Sequence, residues 1–273
     1  MAATISYLER ISDNTNRTLY TFSGANFGTA DSKRRIIVVA SLFGGNQISS
    51  VTIGGISTTI IFHVAVGVEG NYHGIFIAAV PTGANGDIIV DSAGTADGCT
   101  IFTYTTYDIN SNIPTDTATS IADPGVVDID VTPGGVVIAV SIDDDGNHLA
   151  TWTNLTEDYD AQISGGDDIS GASGAFVAAQ TNLAITCQWS ASPGDKLLLV
   201  ASFASNPILD AGAGTFTING QDTKFQFFSA LYTMVAIVGT YIVTGFNTLF
   251  RRGNSKWKNK EKHTSIWKNK DKS

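Results

Sequence analysis

Apolar residues in this chain come in runs of four to eight, and the runs are separated by clusters of Gly, Asn, Asp and Ser. Residues 35–41 (RIIVVAS), 50–53 (SVTI), 58–62 (TTIIF), 74–80 (GIFIAAV) and 87–90 (DIIV) set the pattern. It continues through 100–107 (TIFTYTTY), 135–140 (GVVIAV), 174–179 (GAFVAA) and 196–203 (KLLLVASF). Runs this short, rich in β-branched residues, suit strands and are too short for ordinary helices. None carries a sustained helical period with caps. Residues 100–107 alternate in part, the signature of a half-exposed strand. Gly54-Gly55, after residues 50–53, reads as a hairpin turn into the strand at 58–62. Residues 81–86 (PTGANG) and 133–135 (PGG) each stop one strand and start the next. Strands about ten residues apart, joined by polar turns, predict an all-β fold with a jelly-roll-like β-sandwich body, the alternative being a barrel.

Composition limits the rest. Hydrophobic residues make up 43% of the 273, enough to bury a core and exclude disorder for most of the chain. Twenty-eight Gly with only 6 Pro exclude a collagen-like or Pro-rich chain. The length allows one large β domain with an appendage.

The texture changes after Asn206. Residues 214–220 (GTFTING) and 239–245 (GTYIVTG) match at a period of 25, through Gly214 and Gly239, Phe216 and Tyr241, Ile218 and Val243, Gly220 and Gly245. Each copy reads as a strand, a Gly turn and a return strand, which is one hairpin per repeat. A second repeat, of period ten, places Trp257-Lys-Asn-Lys over Trp267-Lys-Asn-Lys. In an extended segment both indoles share a face. Exposed Trp is unfavourable, so the arm is expected to dock on a partner. The chain thus divides into a sandwich (1–206), two hairpin repeats (207–252) and a basic arm (253–273). Two hairpins are too small to stand alone and must pack on the body or on copies from other chains; with the Trp-bearing arm they favour obligate homo-oligomerisation, as a trimer or another cyclic form.

Charge is uneven. Residues 251–273 hold nine Lys/Arg and two acids, a net of +7, and the first 250 residues carry −16 of the overall −9. An acidic body disfavours nucleic acid, and a basic tail suits an acidic partner. Residues 227–250, followed by Arg251-Arg252, imitate a membrane span. Gly239, Thr240, Thr244, Gly245 and Asn247 interrupt the run, so no span is expected. The N-terminus lacks a signal-peptide pattern, which predicts synthesis and folding in the cytoplasm. Cys99 and Cys187 are expected to be buried and free.

Candidate chemistry is sparse. Asp143, Asp145 and Asn147 have the alternating oxygen spacing of a calcium loop, but His148 replaces the needed glycine and Asn154 the bidentate glutamate. A loose calcium site is the metal reading, and a polar turn the plain one. Asp167-Asp168, and Glu157 with Asp158 and Asp160, pair carboxylates as glycosidases do, without catalytic flanks. His63 and His73 read as packed or surface residues. No nucleophile elbow, phosphate loop or dinucleotide fingerprint is present. No catalytic residue and no cofactor is assigned, and the chain is expected not to be an enzyme.

Several segments resemble a known group. Residues 50–55 (SVTIGG), after a strand opened by Arg34-Arg35, with 79–83 (AVPTG) and 86–90 (GDIIV), resemble β-sandwich proteins encoded among tailed-phage and prophage structural genes. Residues 213–220 (AGTFTING) and their second copy resemble the short Gly-rich repeats of such proteins. The Trp-Lys-Asn-Lys pair resembles the Trp/Phe-Thr-Asn-Lys endings of phage virion and tail proteins, with Lys258 and Lys268 in place of threonine. The resemblance implies a non-enzymatic virion component, made in the host cytoplasm, with other virion proteins as partners. A tail-associated fibre, adaptor or receptor-binding module that meets a host-surface glycan is the leading expectation. A capsid decoration or head-fibre protein is the alternative, and a stand-alone carbohydrate-binding module or glycosidase the second. Anchoring falls to Gly214, Phe216, Ile218, Gly220, Gly239, Tyr241, Val243, Gly245, Trp257 and Trp267.

Overall fold

A computed structural model describes residues 2–206 apart from 45, 68–69, 145–147, 164–166 and 192–193, and beyond them the backbone of strands between 216 and 259. The described residues form strands and turns, without a helix. Met1–Pro207 is one compact unit and Ile208–Ser273 another.

The first half of the body runs β1 (Thr4–Asp13), β2 (Arg17–Asn26), β3 (Arg35–Phe43), β4 (Ile48–Ile53), β5 (Ile56–Ser57), β6 (Thr59–Val66), β7 (Asn71–Ala79), β8 (Asn85–Ala96) and β9 (Gly98–Tyr107). The second half runs β10 (Asp116–Ser120), β11 (Gly125–Val131), β12 (Val136–Asp143), β13 (Ala150–Thr153), β14 (Thr156–Gln162), β15 (Asp168–Ala175), β16 (Gln180–Trp189) and β17 (Lys196–Phe203). Among the described residues, sheet order is β1-β9-β3-β7-β6 with β2-β8-β4-β5 in the first half. In the second it is β10-β17-β12-β15-β14 with β11-β16-β13. All pairings are antiparallel.

Apart from the two-residue β5, the two orders are the same. Counted along each half, strands one, eight, three, six and five make one sheet, and two, seven and four the other. This is the winding of a jelly roll with its fifth strand moved to the neighbouring sheet. In the first half the transfer is visible, because β5 pairs with β4 and β6, beginning two residues later, pairs with β7. The body is a tandem pair of sandwiches with one topology.

Side-chain alternation explains how the four sheets stack. On β3, Ile36, Val38, Ala40 and Leu42 enter the first sandwich's own core with Phe22, Val51, Ile88 and Val90. The intervening Ile37 and Val39 face the other way, into a cluster with Val136, Ile138, Val140, Leu199 and Ala201 of the second half. Val137, Ala139, Leu198 and Val200 complete a third cluster with Ile129, Ile185 and Trp189. The two long sheets therefore lie back to back in the middle and are apolar on both faces, whereas each shorter sheet is apolar on one. Tyr159 of β14 stacks on Phe102 of β9 across this middle layer, with ring centroids 4.0 Å apart.

The half-exposed reading of residues 100–107 is corrected, because β9 lies in a central sheet and is buried except at Tyr107. Its threonines pack like valines, and Thr100 and Thr106 place their hydroxyls on Ser12 Oγ and the Arg35 carbonyl. The turn at Gly54-Gly55 forms, with φ of +58° and +76° and Ile53 opposite Ile56, the geometry of a two-residue type I′ hairpin, but it leads into β5 and not into residues 58–62, most of which belong to β6 in the other sheet. The cysteines are free and buried in different cores, Cys99 in the first sandwich and Cys187 in the second. Burial raises the Cys99 thiol beyond its ordinary range and pushes the Cys187 thiol up to about 12.

Beyond Pro207 the strands are β18 (Phe216–Asn219), β19 (Thr223–Phe227), β20 (Tyr232–Ala236), β21 (Thr240–Val243), β22 (Phe250–Gly253) and β23 (Lys256–Asn259). They pair as β18 with β21, β19 with β20, and β22 with β23. Among the described residues the hairpin within the first 25-residue repeat is β19 with β20, and the strand that opens the repeat does not pair with its own return strand. The strand of the first copy pairs with that of the second, Phe216 opposite Val243 and Ile218 opposite Tyr241. The span-like run holds β20 and β21, and no described helix is long and apolar enough to cross a membrane.

Candidate functional site

One group of buried polar residues lies at an end of the central sheet built on β12 and β15, on both of its faces. Asp143 ends β12 and Asp168 begins β15, and the two are directly opposite in register. Both are buried, at 0% and 2% exposure. By alternation their face is that of Ser141 and Ser170, the face covered by the second sandwich's shorter sheet. Trp189 Nε1 donates to Ser141 Oγ at 3.1 Å, and Trp152 Nε1 to Ser170 Oγ at 2.8 Å. His148 follows on the connection to β13. Its Nδ1 lies 2.5 Å from an Asp143 carboxylate oxygen, and its backbone N–H donates to Asp168. Donor atoms of Asp143, His148 and Asp168 all fall within 4.8 Å of one another. Asp160 stands close by on β14, accepting the Ala150 N–H at 2.9 Å. Its carboxyl is held above the ordinary value by burial first, with the Asp168 charge adding to the rise.

On the opposite face, between the halves, Asn71 Nδ2 donates to Asp167 at 2.9 Å. His73 Nδ1 meets Ser41 Oγ at 2.9 Å, and its Nε2 is 3.8 Å from Asp167. Burial lowers His73 to about 3, so the ring is neutral at ordinary pH. Serine, histidine and aspartate stand in the order of a charge relay, but all three are at most 1% exposed. The imidazole–carboxylate distance also exceeds hydrogen-bond range. No substrate carbonyl can reach Ser41 Oγ in this arrangement, and the array ties the first half (Ser41, Asn71, His73) to the second (Asp167).

A shallow groove of about 440 Å³ opens at an end of the first sandwich, lined by Phe27, Gly54, Gly55, Ile56, Gly83 and Asp87. Arg34, 1% exposed, fixes the loops beneath it. Its guanidinium donates to the carbonyls of Val80, Gly28, Thr82 and Gly83 at 2.7, 2.9, 2.8 and 2.6 Å.

Of the calcium-loop residues, Asp143 is in the carboxylate cluster, while Asp145 and Asn147 lie outside the described residues. Asp167 and Asp168 do not act as a pair, since one joins Asn71 and His73 and the other His148. His73 is an interior residue of β7, and His63 sits on edge strand β6 with its ring 5.4 Å from that of Tyr72. Among the anchoring residues, Phe216 and Ile218 are on β18 and Tyr241 and Val243 on β21. Trp257 is on β23, opposite Arg252. Gly214, Gly220, Gly239, Gly245 and Trp267 lie outside the described residues. Sequence reading missed the partnership of Asp143 with Asp168, which are 25 positions apart and meet only through strand register. Comparison of the chain with protein-family models, with curated proteins and with solved structures gave no match.

Proposed function

We propose that this chain is a non-enzymatic structural protein of a tailed-phage virion. In this reading it is tail-associated, as a fibre, adaptor or receptor-binding module, and assembles in the host cytoplasm. The observation that carries the reading is the make-up of the second compact unit. Its described strands form only two-stranded pairs, one of them joining the two copies of the 25-residue repeat. A two-stranded pair is marginal in water and gains stability from further strands or an apolar surface. Sister chains and neighbouring virion proteins would supply both, with the basic arm and its tryptophans as the attachment. The tandem sandwich fits a projecting body, since its three described cores are built from residues of the first compact unit. Jelly rolls serve both particle architecture and glycan binding, so the fold is compatible with the reading without selecting it.

The test is incorporation. Trp257→Ala and Trp267→Ala, alone and together, are expected to lower the amount of protein recovered in purified particles while the body stays folded. Normal incorporation of the double variant would remove the anchoring role. Copy number then locates the protein, because a tail part is present in few copies and a capsid decoration in hundreds.

A further inference from the structure

We propose that Asp143, Asp168 and His148 form a binding site for one divalent transition-metal ion of the Mn²⁺ or Zn²⁺ class. Two carboxylates directly opposite on adjacent strands repel one another, and burial removes the water that would screen them. Asp160 adds a third carboxylate beside Asp168. Lys196, opposite Asp143 on β17, stands 3.5 Å from Asp123, and a divalent ion placed among the carboxylates would relieve the repulsion between them. The donor set also suits such an ion. At metal–ligand bonds near 2.1 Å, adjacent ligand atoms stand about 3–3.5 Å apart. The three donors already lie within 4.8 Å of one another, and Nδ1 is 2.5 Å from Asp143. Small side-chain rotations would open the hydrogen bond to coordination distance, the ion replacing the proton between Nδ1 and the carboxylate and that proton leaving to water.

The scaffold favours a defined geometry. Asp143 and Asp168 are carried on paired strands of a central sheet, and Ser141 and Ser170, one step along the same face, are held by the Trp189 and Trp152 indoles. The His148 side chain is 20% exposed, which gives an ion a way in from solvent. A set of one imidazole nitrogen and two carboxylates favours Mn²⁺ or Zn²⁺ over Ca²⁺, which takes six to eight oxygens. The site differs from the calcium loop suggested by sequence spacing, because it substitutes Asp168 and His148 for Asp145 and Asn147.

The experiment uses the full chain, stripped with chelator and titrated calorimetrically with MnCl₂, ZnCl₂ and CaCl₂ in separate runs, with thermal unfolding in parallel. One ion per chain is expected, with Ca²⁺ at least tenfold weaker and Tm raised by about 5 °C or more at a hundredfold excess over Kd. His148→Gln and Asp168→Asn, checked for fold by circular dichroism, are expected to weaken binding at least tenfold, and Asp87→Asn to leave it unchanged. His148 is partly exposed, so its variant tests the site even if Asp168→Asn fails to fold. Absence of stoichiometric Mn²⁺ or Zn²⁺ binding to the folded chain overturns the proposal. So does binding that survives His148→Gln unweakened, as an ion on the tail's His263 would, and so does tighter binding of Ca²⁺.

Discussion

Replacing Ile138 by alanine strikes the layer that the two sandwiches share. Ile138 is fully buried on β12, between Val136 and Val140 on the same face, with Ser173 and Ala201 opposite it on the flanking strands. Truncation removes three carbons and leaves a cavity between two sheets that are each braced by an outer sheet, so collapse around it is limited. Ile→Ala at such sites costs about 2–5 kcal/mol, and the rigid setting argues for about 3–4. With a urea m-value of about 2–3 kcal/mol/M for a body of this size, the midpoint falls by about 1–2 M. The cysteines allow the two halves to be read separately, because Cys99 is sealed in the first core and Cys187 in the second. Pulsed thiol labelling along a urea series, resolved by peptide mass, gives a midpoint for each. A shared middle layer predicts that both midpoints drop together in Ile138→Ala. If Cys187 became reactive at lower urea while Cys99 kept its wild-type midpoint, the halves would be independent and the reasoning about the middle layer would fail.

Two further predictions follow from buried polar groups. Arg34→Lys keeps the charge but cannot span four carbonyls with one ammonium; it is expected to cost about 3 kcal/mol, seen as a lowered urea midpoint. His73 gives a pH effect: the folded chain keeps it neutral down to about 3 while the unfolded chain takes up its proton near 6.5, so the unfolded state holds more protons in between. Its contribution is complete above pH 6.5 and is lost as pH falls toward 3, by about 5 kcal/mol at the limit, with the Asp167 carboxyl 3.8 Å from the ring. Stability of His73→Gln measured against pH is expected to fall less steeply between 6 and 4 than that of the wild type; equal slopes would contradict the assignment.

Much of the fold was legible in the sequence, because strand signals are local. The Gly54-Gly55 turn and the breaks at residues 81–86 and 133–135 stand where their residues demand them. The doubling of the sandwich was also written there, though less plainly. β11 alternates buried and exposed at every residue, whereas β3, β12 and β17 are buried almost throughout and carry unbroken apolar runs at 36–40, 136–140 and 197–201. That contrast separates strands covered on one face from strands covered on both, and the apolar type recurs about 100 residues apart. What the sequence could not disclose is register. The meeting of Asp143 with Asp168, and of Ser41, Asn71 and His73 with Asp167, depends on which strands become neighbours. The pairing of β18 with β21 has the same origin, since two like strands offer their partners equally well within and between copies.

The central claim is that the segment after the body is an assembly device. It is tested most directly by the solution mass of the full chain and of a chain ending at Asn206, which keeps the described residues of all three cores. The account predicts a trimer or larger assembly for the full chain and a folded monomer for the shortened one. Two well-behaved monomers would contradict it, and would leave the repeats as strands that serve only their own chain.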